Sequence, residues 1–538
     1  MHKKPFYINL FLSFLTILLL SFSFPSPGIS YLAWFALVPW FIIISTGYRA
    51  GLFSYLIGVS FLVFNLSWLR FVTSPGWLLL SLYIALYFFA FGIVLYYLRR
   101  KLRLPHVFAA PFVWVAFEYL RSYPYTGFPW FFAGHSQYLN LPLIQITDIT
   151  GVYGISFLIV VINAAIADLT EQLLFRCNYK SGVDLVVSSG KKGKMFWFTI
   201  IIPSLLLSLV LVYGYLDLRD HKVLQDGPNV CVVQGNVPQG VKITADEEQQ
   251  KEILKKYTNL SLKVVGEEVD MIIWPETMVP GVLNIDPNIL NREVDRLSKE
   301  AVHKLTDATS ANLILGGTAI DVRDASALYF NTAFYFNRKG RFVDRYDKIY
   351  LVPFGEFIPF EDWLPFLSNI VPYSVSLSGG GRRTIFELDT KNDERKYYKF
   401  GVMICYEDTV APLVRRFRKD GADFMINITN DAWFHDSSEL DQHLAIMVFR
   451  AVENRICITR SANSGISSFI APNGEIYDYL VNEGRYKEVD GILCNKIRFE
   501  NSVTSWYTNH GDVFAISCLL VTAILFLAAL TKRISLDI

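Results

Sequence analysis

Three residues with complementary chemistry each close a β-rich run: Glu276 ends DMIIWPE, Lys348 follows FVDRYD, and Cys405 follows KFGVMI. A thiol is a strong nucleophile only as the thiolate, and a nearby carboxylate can take its proton when partial burial raises the carboxyl pKa. An ammonium beside them can hold the oxyanion formed when sulfur attacks a carbonyl. Together the three suffice for acyl transfer through a thioester. Singly, each has a plainer explanation as an inert core thiol, a turn acid or a solvated hairpin lysine. Their shared place at strand ends, where open α/β sheets put their ligands, is what joins them.

The elements around them follow from residue periodicity. Asn229 to Val237, Asp270 to Trp274, Asn312 to Ile320, Ala327 to Phe336, Lys399 to Cys405, Asp423 to Thr429 and Cys457 to Ser461 are near-continuous apolar runs, as in sheets covered on both faces. Between them, residues 247–266, 291–310, 410–420 and 439–454 carry the 3.6-residue periodicity and charge of surface helices. This alternation predicts one α/β domain over 219–510. Ser376 to Arg382 (SLSGGGR) reads as its most flexible piece, and Phe360 to Tyr373 as a core cover or an interfacial arm.

The rest of the chain is of another kind. Of 538 residues, 52% are apolar, 15% aromatic and only 18% charged, and the net charge is +1. No excess of positive charge is left for a phosphate backbone, which argues against nucleic-acid binding. Eight apolar stretches approach the roughly 20 residues a bilayer crossing needs: 6–24, 30–46, 51–69, 77–98, 106–120, 151–169, 195–217 and 511–531. The fifth is short and holds Pro111 and Glu118; the first follows Lys3-Lys4 without a cleavage site and is read as retained. With the N-terminus inside, the inner loops hold fourteen basic residues (Lys3, Lys4, Arg49, Arg99, Arg100, Lys101, Arg103, Arg176, Lys180, Lys191, Lys192, Lys194, Lys532, Arg533). The short outer loops hold two, Arg70 and Arg121. That asymmetry predicts seven spans over 1–218, an outer domain over 219–510 and an eighth span with a cytoplasmic tail over 511–538, both termini being cytoplasmic.

Six cysteines at wide, irregular spacing form no short disulfide framework; in a domain outside the cytoplasm Cys231, Cys405, Cys457 and Cys494 could oxidise, yet three of them lie in apolar strand-like runs where a buried thiol is the plainer expectation. The eight histidines show no H-E-x-x-H or paired Cys/His spacing, so no metal and no other cofactor is expected.

Trp274-Pro275-Glu276, Tyr346-Asp347-Lys348 followed by Pro353-Phe354-Gly355-Glu356, and Cys405-Tyr406-Glu407 resemble the Glu-Lys-Cys signature of the nitrilase superfamily in order and spacing. The eight-span frame with the domain between spans seven and eight resembles the apolipoprotein N-acyltransferases, which complete bacterial lipoprotein maturation. So do Thr126-Gly127-Phe128-Pro129-Trp130, Gln234-Gly235-Asn236 and Asn430-Asp431-Ala432-Trp433-Phe434.

The resemblance implies a membrane α-helical bundle of eight transmembrane helices plus an α/β nitrilase-like αββα sandwich on the periplasmic side of the inner membrane. It implies Glu276 as general base, Lys348 as oxyanion stabiliser and Cys405 as the acylated nucleophile, with Glu356, Glu407 and Tyr406 orienting or tuning them. Trp433, Phe434, Trp130 and Asn236 become candidates for substrate contact. The implied donor is a phospholipid, typically phosphatidylethanolamine, and the acceptor is the α-amine of an S-diacylglyceryl-cysteine apolipoprotein. Chains of both substrates would stay in hydrocarbon, since withdrawing one costs ~0.8 kcal/mol per CH₂. Nothing demands an oligomer, and a monomer is expected. Two departures touch local contacts only: Ile243 stands where some members carry Trp, and His435 where Gly is common. Two alternatives remain: a membrane-anchored amidase of the superfamily, with water as acceptor, and a transporter or sensor whose outer domain binds ligand. Few intramembrane charges, chiefly Glu118 and Asp168, speak against the last.

Overall fold

A computed structural model of the chain describes residues 3–123, 127–177, 192–220, 224–290, 292–323, 326–358, 376–391, 395, 397–500 and 504–532. Thr126, Lys180, Lys191, Arg533 and the 360–373 arm lie outside the described residues, as does the side chain of Ile243. The chain divides into two units, 1–220 with 510–538, and 221–509.

The first unit is helical: α1 (Lys3–Ser23), α2 (Val38–Thr46), α3 (Ala50–Asn65), α4 (Ser74–Leu102), α5 (His106–Leu120), α6 (Val152–Cys177) and α7 (Lys192–Asp220). The C-terminal helix Val513–Thr531 completes it, with Phe514 and Phe526 against Phe157 and Tyr97. Leu79, Leu86, Leu205, Leu209, Leu520 and Leu527 point outward and exposed. Apolar side chains in that position suit hydrocarbon rather than water.

Among the described residues, five helices are long and apolar enough to cross a membrane: Pro5–Ser23, Ser74–Leu102, Val152–Leu173, Trp197–Asp220 and Val513–Thr531. The other three expected stretches form shorter helices. At 1.5 Å per residue, the 16 residues of α3 rise about 24 Å before the chain turns into Ser67–Phe71. Residues 30–46 are broken into a 3₁₀ turn and α2, which has Pro39 in its first turn, and α5 has only 15 residues.

Buried charges of this unit are held by partners. Arg99 bridges Asp168 (3.2 Å) and Glu171 (2.8 Å), and the Asp168 carboxylate accepts the first two amides of α5, from His106 and Val107, at 3.0 Å. Glu118 accepts from Trp114 Nε1 and the Ala133 amide at 2.7 Å. These bonds tie α4, α5 and α6 together, which is why so few charges survive burial here.

The second unit is a four-layer αββα sandwich. One sheet runs β12-β1-β2-β3-β4-β5, from Gly491–Phe499 (β12), Gln225–Gln234 (β1), Met271–Trp274 (β2), Asn312–Arg323 (β3), Ser326–Phe336 (β4) and Phe342–Asp347 (β5). The other runs β11-β10-β9-β8-β7-β6, from Ile476–Tyr479 (β11), Ser468–Ile470 (β10), Cys457–Ala462 (β9), Phe424–Thr429 (β8), Tyr397–Ile404 (β7) and Phe386–Asp389 (β6). Parallel pairs β1-β2-β3 and β7-β8-β9 form the two centres, where the near-continuous apolar runs lie. Face to face, Ser461 Oγ donates to the carbonyls of Val233 and Ile273, and Tyr335 packs edge-on to Phe386 and Phe400. After the short Gln239–Thr244 (α8), the helices Glu247–Ser261 (α9) and Glu293–Thr309 (α10) bury Tyr257, Leu260 and Leu305 against Ile272 and Trp274. Ala411–Lys419 (α11) and Glu439–Asn454 (α12) cover the second sheet, and the C-terminal helix Val513–Thr531 is labelled α13.

Two expectations are corrected. Cys231 and Cys494, directly opposite on β1 and β12, form a disulfide across 263 residues and close the first sheet's edge. Wide spacing along the chain hid a pair that strand register brings together. The Ser376–Arg382 segment is fastened, with amides of Leu377, Ser378 and Gly380 donating to the carbonyls of Glu356, Tyr329 and Lys348 at 2.7–2.8 Å.

Candidate active site

Glu276, Lys348 and Cys405 each follow the last residue or two of a strand, β2, β5 and β7. Two close backbone approaches set the first two. A Cβ on Gly316 would lie 2.1 Å from the Pro275 carbonyl, so only glycine lets the Glu276 turn pass β3. A Cβ on Gly380 would lie 2.1 Å from the Asp347 carbonyl, so glycine also admits the strap that holds Lys348.

Four side chains then form a polar diamond. The Lys348 ammonium lies 2.9 Å from Glu356 Oε1 and 3.4 Å from Glu276 Oε1. Opposite it, the Asn331 amide on β4 donates to the same two oxygens, at 2.9 and 2.7 Å. Glu276 Oε2 accepts from the Asn430 amide at 2.9 Å, and Glu356 Oε2 from the Val352 amide at 2.8 Å. Lys348 is only 1% exposed. Burial lowers its pKa, but the carboxylates of Glu356 and Glu276 and the Cys405 sulfur more than reverse this, so the ammonium is held charged.

Cys405 does not extend β7 as expected; it turns out of the strand with φ 52° and opens the 3₁₀ turn Cys405–Thr409. A left-handed non-glycine residue costs ~1–3 kcal/mol, and the neighbours impose it. Its carbonyl accepts from Asn427 Nδ2 at 3.2 Å. The residue as a whole is half-buried. Desolvation, and then the Glu276 charge, push its pKa well above the ordinary value, opposed by Lys348 and Thr429. The resting nucleophile is a thiol that must hand its proton to a base.

Glu407 staples this turn to the Lys348 segment. Its Oε1 accepts from the Tyr346 hydroxyl and the Ile349 amide at 2.8 Å and from the Tyr350 amide at 3.1 Å, while Oε2 accepts from the Ile404 amide at 2.8 Å. Burial raises its pKa to about 7 against those bonds and the Lys348 charge.

Beneath the turn lies a cluster that sequence reasoning did not anticipate. Arg460, fully buried on β9, reaches Asp408 at 3.2 Å, Asp431 at 2.7 Å and Asn427 Oδ1 at 3.2 Å. His443 adds bonds to Asp408 (2.8 Å) and to Arg460 (3.0 Å), with Glu439 3.3 Å away. A lone arginine in the apolar run CITRSA was the signal for buried carboxylates nearby. Asp431, Glu439 and His443 approach as metal ligands would, as do His106, Asp168 and Glu171 in the helical unit, although sequence spacing predicted no such groups. The guanidinium of Arg460 or Arg99 already supplies the positive charge in each.

The remaining candidates divide. Tyr406 is buried behind the nucleophile, and its carbonyl accepts from Thr409. Trp433 and Phe434 are half-buried on the loop whose Asn430 amide bonds Glu276. His435 beside them is exposed, with φ 51°, the backbone setting in which glycine is the common alternative. Asn236 faces away from the diamond: it donates to the Glu488 carbonyl and accepts from Ser464, which makes it a loop anchor. Trp130 belongs to the helical unit, buried with Trp68 and Phe128. Asn331 and Lys242 were missed. Asn331 was legible as the amide of an otherwise apolar strand, whereas nothing in QGVKIT marked Lys242.

Comparison with known proteins fits this arrangement. Residues 18–165 match the apolipoprotein N-acyltransferase N-terminal domain, and residues 229–485 the carbon-nitrogen hydrolase family. The chain is 33% identical over 532 residues to an apolipoprotein N-acyltransferase of Geobacter metallireducens, covering 96% of this chain and 94% of that one. It is 29% identical to apolipoprotein N-acyltransferase 2 of Treponema denticola (93% and 95% covered) and 27% identical to an apolipoprotein N-acyltransferase of Chlorobaculum tepidum (99% and 97%). Matched along nearly its whole length, through both the helical unit and the sandwich, the chain belongs to the apolipoprotein N-acyltransferase family.

Proposed function

We propose that the protein moves a fatty acyl chain from a phospholipid to the N-terminal α-amine of an S-diacylglyceryl-cysteine apolipoprotein, by a ping-pong route through Cys405. The observation that carries the chemistry is the Lys348 ammonium held between Glu276 and Glu356 beside a protonated thiol.

In the first half-reaction the Cys405 S–H proton passes to the Glu276 carboxylate as sulfur attacks the ester carbonyl. Lys348 carries the resulting oxyanion. Collapse breaks the ester C–O bond, and the proton on Glu276 goes to the leaving alkoxide, giving a lysophospholipid and the S-acyl enzyme. In the second half-reaction the acceptor amine attacks the thioester and gives its proton to Glu276. The C–S bond breaks, an amide is released, and the proton returns to sulfur. Glu356 and Asn331 keep Lys348 and Glu276 in place, while Glu407 and Tyr406 fix the turn.

The acyl donor in this reading is phosphatidylethanolamine, and the enzyme works as a monomer in the bacterial inner membrane. The fourteen-to-two distribution of basic residues supports a periplasmic catalytic domain over 219–510, cytoplasmic termini, seven spans in 1–218 and one in 511–538. Three of those spans are helices short for a straight crossing. The test is to incubate the purified chain with phosphatidylethanolamine and a synthetic S-diacylglyceryl-cysteinyl peptide. Peptide that gains one acyl group as an N-terminal amide, with wild type and not with Cys405→Ala, supports the reading. Free fatty acid with no acylated peptide would replace it with a hydrolase.

A further inference from the structure

One charged group of the site takes no part in those steps. Lys242 lies on α8, in the segment that follows Asn236. Its ammonium donates to the Thr277 hydroxyl, which in turn donates to the Glu276 carbonyl at 2.8 Å. Thr277 is held in left-handed backbone at φ 55°, so this contact hangs on the same turn that presents the general base. Burial brings the Lys242 pKa down to about 8, against the charges of Glu276 and Cys405. Lys348 touches two carboxylates, whereas among the described residues no carboxylate lies within ion-pair distance of Lys242. The rim around it is open: Val241 is 41% exposed, and a side chain at Gly240 would meet nothing within 4 Å. An ammonium fastened to the turn that presents the general base, with no carboxylate partner among the described residues and an open rim next to it in the chain, gains most from an anion that arrives with the substrate.

We propose that Lys242 is a specificity residue that binds the phosphodiester of the acyl donor and thereby selects glycerophospholipids over neutral esters. The inference rests on the acyl-transfer reading above. In a glycerophospholipid the ester carbonyl carbon is separated from phosphorus by five or six covalent bonds, roughly 6–7 Å when extended. A phosphate on Lys242 therefore leaves the carbonyl free to reach Cys405, whose charge Lys242 already feels. The contact reads the phosphate and not what is esterified beyond it, so phosphatidylethanolamine and phosphatidylglycerol depend on it alike.

The experiment measures Cys405 acylation of the full-length enzyme in neutral detergent micelles with two donors, phosphatidylethanolamine and p-nitrophenyl palmitate, which carries no phosphate. The readout is the ratio of kcat/KM for the two donors in one preparation, which a partly unfolded sample leaves unchanged. Lys242→Met should lower that preference by about tenfold to hundredfold, the worth of one charge-assisted hydrogen bond to phosphate. Lys242→Arg should hold it within about threefold of wild type, since guanidinium also binds phosphate. A preference unchanged in Lys242→Met overturns the proposal, as does a preference that Lys242→Arg loses equally. Wild-type enzyme that forms no Cys405 thioester with either donor would instead overturn the underlying reading of the site.

Discussion

Replacing Glu407 by Gln should slow acylation of Cys405 without removing any group that touches the substrate. The carboxylate accepts four hydrogen bonds, three on Oε1 from the Lys348 segment and one on Oε2 from the Ile404 amide. An amide has one acceptor oxygen, so its NH₂ must face a donor in either orientation. Turned toward Ile404 it keeps three bonds and leaves one buried N–H without an acceptor, at about 1.5–3 kcal/mol; the other orientation abandons three and costs several times more. The cheaper arrangement prevails, and the lost bond belongs to the residue preceding the nucleophile. A loss of this size lowers Tm by about 3–10 °C for a unit of this length. A shift of the sulfur of order 1 Å costs up to about a hundredfold in rate. Single-turnover acylation followed by intact-mass spectrometry, with thermal unfolding on the same sample, reads both quantities. Acylation within about twofold of wild type, together with an unshifted Tm, would refute the staple and the reasoning from four donors.

Other consequences follow from the same geometry. Lys348→Met leaves Glu276 and Glu356 buried without their cation, and should destabilise the protein by about 3–5 kcal/mol while abolishing thioester formation; thermal unfolding and mass spectrometry check both effects. Cys231→Ser with Cys494→Ser, or a reductant added to wild type, should lower stability by about 2–5 kcal/mol, read as a Tm shift under reducing conditions that the double variant no longer shows. Glu407 and Glu439 both have folded pKa values raised to about 7 from 4.5, chiefly by burial. A raised carboxyl contributes stability that is fully present below its unfolded pKa and is lost as pH rises through the folded value, so Tm should fall between about pH 5 and pH 8, and less steeply in Glu439→Gln.

What the sequence made legible is what repeats along a strand or a helix. Apolar runs of strand length placed β2, β7, β8 and β9, and strand ends picked out Glu276, Lys348 and Cys405, because sheet direction alone decides where such residues emerge. What stayed hidden depends on contacts across the sandwich. Asn331 touches Glu276 from 55 residues away, and Arg460 touches Asp408 from 52. Cys231 meets Cys494 only because β12 returns to pair with β1. Asn236 sits in a rare motif on the first strand, yet its side chain serves the loop after β9, since φ 48° turns it out of the strand path. Short apolar helices such as α3 matched a spanning composition over a longer window than the helix itself occupies.

The central claim, a phospholipid-derived thioester on Cys405, is tested most directly by intact-mass spectrometry of the purified protein after incubation with phosphatidylethanolamine and no acceptor, wild type beside Cys405→Ala. The account predicts a fatty-acyl mass increment on wild type that hydroxylamine removes and that the variant never gains. Folded wild-type protein that gains no increment and releases no fatty acid from a competent phospholipid, or an increment that persists in Cys405→Ala, would contradict it.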